Sequence, residues 1–361
     1  MAVPTTDQGG INRRDMLKFA GVAGAAAVGV SLFGCSSTAS AEPIKDTALA
    51  ANGVATVTLE QATSENVLNV ENTAPSITQT QGLIYKQVLP GGTQLHMDIL
   101  APRAGKDDKL PLVVYINGGG FTGSSPAGNI VQRMAFAQAG YVVASIQHRV
   151  VPLARFPEPL EDVKAAVRWL RANAATFNID PDRVAAVGGS AGGYFATMLG
   201  VTADATEFDV GENTDQSSAV NAVIDLYGVS DLTIIGAGLS QELEEGHHSA
   251  ATTEAMLVNG TAFGDNKGAS VFDTPEAAAE ASPFTYIDSN DPPFLIMHGD
   301  KDTLVSPVAS MELYNKLREA GVPAERYVIA GSGHGGPSFD QPEVIDIMIK
   351  FLDENVKNIG Q

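Results

Sequence analysis

The residue types that could do chemistry fall into three short runs. The first is Gly188-Gly189-Ser190-Ala191-Gly192, a Gly-x-Ser-x-Gly pentapeptide. It follows the apolar run Val184–Val187 and precedes a helical stretch, Tyr194–Val201. In a strand–turn–helix context such a serine is a nucleophile candidate. The turn must be so sharp that a Cβ at Gly188 or Gly192 would strike neighbouring backbone. Ser190 itself is expected in a strained conformation, with Oγ exposed and the N–H groups of a helix start behind it. The second run is His298-Gly299-Asp300-Lys301-Asp302, where two aspartates compete for the role of acid. The third is Gly331-Ser332-Gly333-His334-Gly335-Gly336. Of the six histidines, only His334 follows both the serine and the acid on a loop after a strand. A Ser–Asp–His order suits a nucleophile, an orienting acid and a general base.

A fourth run, Asn117-Gly118-Gly119-Gly120-Phe121, directly follows the apolar run Leu112–Ile116. Consecutive glycines let backbone N–H groups face a developing oxyanion. Phe121 and Tyr194 are candidates either for a pocket wall or for the core. Glu242, Glu244, Glu245, His247 and His248 lack metal-ligand spacing and read as a solvated acidic loop. The acidic residues of 203–218 read the same way. No metal and no cofactor are expected.

The elements that must position these runs alternate. Leu83–Leu89 and Gln94–Leu100 flank Pro90-Gly91-Gly92 and predict a hairpin. Strands are predicted at Leu112–Ile116, Tyr141–Ile146, Val184–Val187, Ala222–Leu226, Phe294–His298 and Arg326–Ile329. Their near-continuous apolar character suits a parallel sheet buried on both faces. Asp180-Pro181-Asp182 reads as a turn feeding the strand at Val184. Leu160, Val163, Val167, Leu170 and Ala174 keep helical spacing, as do Val308–Ala320 and Pro342–Val356. The expectation is an α/β fold. Residues 229–293 carry no long strand and read as a lid or specificity insert.

Together these motifs identify residues 83–357 as resembling the α/β-hydrolase esterase/lipase group, near its hormone-sensitive-lipase-like and bacterial acetyl-xylan or feruloyl esterase branches. Gln147-His148-Arg149, Phe156-Pro157, the segment 161–170 and Ile179-Asp180-Pro181-Asp182-Arg183-Val184 also resemble that group. Asn117 departs from the His of its oxyanion loop, which puts in question how the loop is braced. The resemblance implies a mostly parallel eight-stranded sheet and carboxylic-ester hydrolysis through an acyl-enzyme. It implies Asp302 as the acid; Asp300 then reads as a turn cap and His298, ending a strand beside the acid, as a brace for that loop. It implies the N–H groups of Gly119, Gly120 and Ala191 as oxyanion donors. The expected substrate is a small-molecule or carbohydrate ester with a small acyl group, acetyl or hydroxycinnamoyl. A serine peptidase on the same fold and a catalytically inactive surface-binding module are the alternatives.

The N-terminal residues read as an address. Arg13-Arg14-Asp15-Met16-Leu17-Lys18-Phe19 opens a Gly/Ala-rich apolar run, Ala20–Phe33, which is the pattern of a twin-arginine export signal. The run is too short and too rich in glycine to span a bilayer well. Leu32-Phe33-Gly34-Cys35 resembles a bacterial lipobox, although Phe33 is bulky for its place. Ala39-Ser40-Ala41 offers a competing cut that would release a soluble protein. The position of Cys35 favours a lipid anchor. The expected organisation is a signal over 1–34, a tether over 35–80 with one short strand at Ala55–Leu59, and a catalytic domain over 81–361.

Composition narrows the partners. The 361 residues are 44% hydrophobic and 18% charged, as expected of a globular chain. A single cysteine excludes an intramolecular disulfide. The 42 acidic residues against 22 basic give a net charge of −20, which disfavours nucleic acid as a partner. Residues 1–34 hold three basic and two acidic side chains, so their removal leaves −21.

Overall fold

The computed structural model describes residues 59–359 except Glu65, Asn72 and Lys106. The signal, Cys35 and most of the expected tether, including residues 55–58 of its strand, lie outside the described residues. The chain divides into two units, Met1–Val70 and Glu71–Gln361. In the first, the described residues include one short helix, α1 (Leu59–Ser64), with no buried side chain.

The second unit is built on one eight-stranded sheet. Its strands are β1 (Ile77–Val88), β2 (Thr93–Pro102), β3 (Leu110–Ile116), β4 (Val142–Ile146), β5 (Ile179–Gly189), β6 (Ala222–Leu226), β7 (Phe294–Gly299) and β8 (Ala324–Ile329). Their order across the sheet is β1-β2-β4-β3-β5-β6-β7-β8. β2 runs antiparallel to both its neighbours and the other pairs are parallel. The helices are α2 (Ile130–Gln138), α3 (Glu158–Ala172), α4 (Ala191–Val201), α5 (Gln241–Gly246), α6 (Thr253–Asn259), α7 (Pro275–Glu280), α8 (Pro307–Glu319) and α9 (Pro342–Leu352).

Strand side chains alternate between two cores, which is why the strands read as continuous apolar runs. On β3, Leu112, Val114 and Ile116 join one core with residues of α3, α4 and α8. Val113 and Tyr115 join the other, with residues of α2 and α9. Among the described residues, no helix is long and apolar enough to cross a membrane.

Two expectations need correction. β1 begins at Ile77, inside the stretch read as tether, so residue 81 is not a domain edge. Its first residues are mostly exposed, and with no apolar alternation the sequence carried no strand signal there. Asp180-Pro181-Asp182 does not precede β5 but lies within it. The register against β3 jumps from Leu110↔Ile179 to Leu112↔Val184, so the residues between are accommodated as a bulge. The segment 229–293 holds α5, α6 and α7 with no long strand among its described residues.

Candidate active site

β5 ends at Gly189 and α4 starts at Ala191, leaving Ser190 alone in the turn. Its φ of 56° and ψ of −125° lie outside the ordinary regions for a non-glycine residue. The turn is tight enough to exclude side chains at both flanks. A Cβ at Gly188 would lie 2.1 Å from Gly192 O, and one at Gly192 would lie 2.0 Å from Ile116 O. Ser190 N donates to Leu226 O at 2.9 Å, tying the turn to the end of β6. Such strain persists only where surrounding structure enforces it.

Three side chains separated in sequence meet beside this turn. His334 Nε2 lies 2.7 Å from Ser190 Oγ, and His334 Nδ1 lies 2.7 Å from Asp302 Oδ2. Asp302 is buried and fully committed. Oδ2 also faces His298 Nε2 at 3.0 Å, and Oδ1 accepts from Leu304 N at 2.9 Å and Val305 N at 3.0 Å. Burial alone would raise its pKa. The hydrogen bonds from His298 and His334, the charge of His334 and the Leu304 N–H outweigh it and hold the carboxyl well below the usual range. Asp302 is therefore an acceptor, and His334 Nδ1 carries the hydrogen between them.

His298 acts on the same oxygen from below. Its Nε2 also lies 3.0 Å from Val305 O, so it faces two acceptors and must carry a hydrogen. Asp300 makes no hydrogen bond to His334; its Oδ1 accepts from Gly331 N at 2.6 Å, pinning the loop that carries the histidine.

The glycine loop stands against the serine. A Cβ at Gly118 would come within 3.0 Å of Ser190 Cβ. Among the described residues, the N–H groups of Gly119 and Gly120 donate to no main-chain carbonyl. Ala191, at the first helical position, has no carbonyl within α4 to bond. Gly120 and Ala191 line a cavity of about 180 Å³ that includes Ser190; Gly119 does not line it. Asn117 replaces the expected histidine and braces the loop from beneath. Its Nδ2 donates to Ser145 Oγ at 2.8 Å, and its Oδ1 accepts from Asn129 Nδ2 at 2.8 Å.

Phe121 and Tyr194 both belong to the buried core and pack ring to ring, and only Phe121 also reaches the cavity. The Tyr194 hydroxyl donates to Ala281 O at 2.6 Å. The acidic cluster splits. Glu242, Glu244 and Glu245 are exposed on α5 and its end, whereas His247 enters the cavity wall, a placement its sequence context did not suggest. Tyr227 belongs to no sequence motif of the site. Its ring meets His334 edge-on at 4.9 Å and Phe339 at 4.6 Å. Its place just after β6 is the available signal, since sites on such sheets gather at the carboxyl ends of strands. A larger surface cavity of about 350 Å³, with Phe156, Phe208 and Tyr286 in its wall, shares no residue with the serine site.

With this geometry established, likeness to known proteins assigns the family. The BD-FAE family model matches residues 97–317, more than half of the chain. The chain belongs to the BD-FAE family. The matched segment contains Ser190 and Asp302 and stops before His334. Residues 10–29 of this BD-FAE protein match the signal sequence of the twin-arginine translocation pathway, so the chain carries an export signal. Esterase LipQ of Mycobacterium tuberculosis is 31% identical over 68% of this chain and 55% of the relative. Esterase LipC of the same organism is 29% identical over 62% and 53%. The chain thus spans about half the length of the curated relatives it matches. A truncated carbohydrate esterase from gut microbiota has a solved structure that superposes with a TM-score of 0.65. It is 27% identical, covering 79% of this chain and 98% of the other. Butyrate-bound esterase 2 of Thermogutta terrifontis gives a TM-score of 0.60 at 25% identity, covering 80% and 95%. The BD-FAE chain has the α/β-hydrolase fold of these esterases.

Proposed function

We propose that the protein is an exported serine hydrolase of carboxylic esters with small acyl groups, acetyl or hydroxycinnamoyl, working through an acyl-enzyme. The observation that carries this reading is the hydrogen-bonded line from Ser190 Oγ through His334 to Asp302. His334 Nε2 accepts the proton as Oγ attacks the ester carbonyl. Asp302 keeps the hydrogen on Nδ1 and stabilises the imidazolium. The carbonyl oxygen gains charge and is met by the N–H groups of Gly119, Gly120 and Ala191. A donor of this kind contributes roughly 3 kcal/mol to the transition state. His334 then returns the proton to the leaving alkoxide. A water activated by the same nitrogen releases the acid. The carbohydrate-esterase and butyrate-bound neighbours support the small acyl group, as does the modest cavity. For the mature form, we infer lipid attachment at Cys35, supported by the cysteine's place directly after the apolar run.

A fluorophosphonate probe tests the nucleophile. Labelling of Ser190 is expected, with loss of the adduct in Ser190→Ala and a fall in kcat of roughly 10⁴-fold or more. Hydrolysis across acetyl, butyryl, octanoyl and feruloyl esters tests the acyl class. Preference for octanoyl would refute it. Absence of any adduct on folded protein would refute the enzyme and favour the binding module.

A further inference from the structure

The cavity beside Ser190 is apolar on most of its wall, where Phe121, Val229, Ile235, Leu304 and Val305 stand. One corner is polar: His247, Thr253 and Glu254. Glu254 is only 3% exposed. It lies in the first turn of α6, where the helix start favours negative charge. Its Oε1 lies 2.7 Å from His247 Nδ1, and Thr253 Oγ1 donates towards Oε2 at 3.4 Å. A carboxylate only accepts, so Nδ1 carries the hydrogen. In the neutral imidazole Nε2 is then left as an acceptor. Gly236 gives the ring its room, because a Cβ there would lie 2.6 Å from His247 Cδ2. A second histidine–carboxylate pair therefore faces the cavity that holds the nucleophile, and the triad makes no use of it.

We propose that His247 is a specificity residue, and Glu254 its positioning residue, for esters whose cavity-side portion bears a hydroxyl. That hydroxyl donates to His247 Nε2 at the polar corner while the rest of the group lies against the apolar wall. The inference rests on the ester-hydrolase reading above. An apolar cavity of roughly 150 Å³ holds a benzene, so about 180 Å³ admits one ring or a short chain. Sites built to bond a substrate hydroxyl discriminate strongly against the analogue without it, because the polar group is left unpaired.

The experiment compares matched esters differing by one hydroxyl, at pH 8, on the full chain. The pairs are methyl 3-hydroxybutanoate and methyl butanoate, methyl 3-(4-hydroxyphenyl)propanoate and methyl 3-phenylpropanoate, and 4-hydroxybutyl acetate and butyl acetate. The hydroxylated member of at least one pair is expected to have the higher kcat/KM, by about tenfold or more. His247→Phe and Glu254→Leu should bring that ratio close to one. Glu254→Gln should keep part of it, since an amide oxygen still accepts from Nδ1. A merely structural role would change both members alike and leave the ratio in place. Equal rates for all pairs in the unmodified protein, or a ratio that survives His247→Phe, would overturn the inference. The unmodified protein decides the first of these even if a variant does not fold. Inertness towards every ester would instead refute the hydrolase reading itself.

Discussion

Asp302 is the single side chain on which most of the site depends. Its Oδ1 accepts two backbone N–H groups, while Oδ2 faces two imidazoles. In Asp302→Asn the amide oxygen must stay with the backbone donors. The amide nitrogen then faces His334 Nδ1 and forces the wrong tautomer, in which Nε2 carries hydrogen and accepts nothing from Ser190. Steady-state kinetics should show kcat down by roughly 10⁴-fold, as expected when a triad loses its acceptor. Asp225 is the opposite kind of carboxyl. Burial raises its pKa to about 7, against the opposing effects of His298 and the Gly228 N–H. A carboxyl raised in the folded state favours folding fully below its unfolded pKa near 4, and that contribution is lost as pH rises towards 7. Asp302 has the reverse sign, its contribution being lost as pH falls below the ordinary carboxylate range. Urea unfolding at pH 5 and pH 8 should therefore show a loss on raising pH that Asp225→Asn reduces. An identical pH dependence in the variant would show that Asp225 titrates normally.

Among the elements, the loop after β4 holds the glycine loop beside Ser190 in place through an ion-pair cluster. Asp162 on α3 is wholly buried and accepts from Lys86 Nζ at 2.6 Å, Arg149 N at 2.9 Å and Arg149 Nε at 2.7 Å. Glu158 adds a contact to Arg149 Nη1 at 2.7 Å. Two residues on, Val151 N donates to Phe121 O at 3.0 Å, beside the glycines. Removing one partner of a buried pair strands the other charge and costs roughly 3–5 kcal/mol. Asp162→Ala should lower stability by that amount in denaturant titration, and should also reduce kcat by loosening the loop. A shift under 1 kcal/mol would mean that solvent takes over the role of the carboxylate. The motifs Gln147-His148-Arg149 and 161–170 were visible in the sequence only as likeness to a family. Their physical content, one carboxylate serving Lys86 of β1 and Arg149 of the loop after β4, is set by tertiary structure.

Across the whole molecule, the export signal and the proposed catalytic site belong to different parts of the chain. The export signal falls in residues 10–29, whereas the triad and its sheet lie within Glu71–Gln361. A chain starting at Glu71 should keep the kcat/KM of the proposed ester hydrolysis within about twofold and its Tm within a few degrees, because β1 and everything after it remain. For the exported form, mass spectrometry of the mature N-terminus should find a lipidated Cys35. A free N-terminus at Glu42 would refute the anchor.

The alternation of elements and the eight strands in outline were legible in the sequence, which also singled out Ser190, Asp302 and His334, the three side chains that the fold brings within hydrogen-bond distance. Buried strands must be apolar on both faces, and a turn between Gly188 and Gly192 admits no side chain at either flank. Such demands act on neighbours in the chain and leave a local trace. The start of β1 and the bulge at Asp180-Pro181-Asp182 left none, because exposed edge residues and an interrupted register impose no apolar period. The bracing of Asn117 by Ser145 and Asn129, the ring of Tyr227 against His334, and the His247–Glu254 pair were decided only by tertiary structure. Each joins side chains from separate elements through a hydrogen bond or a ring contact. A contact of that kind constrains distance in space and imposes no spacing along the sequence.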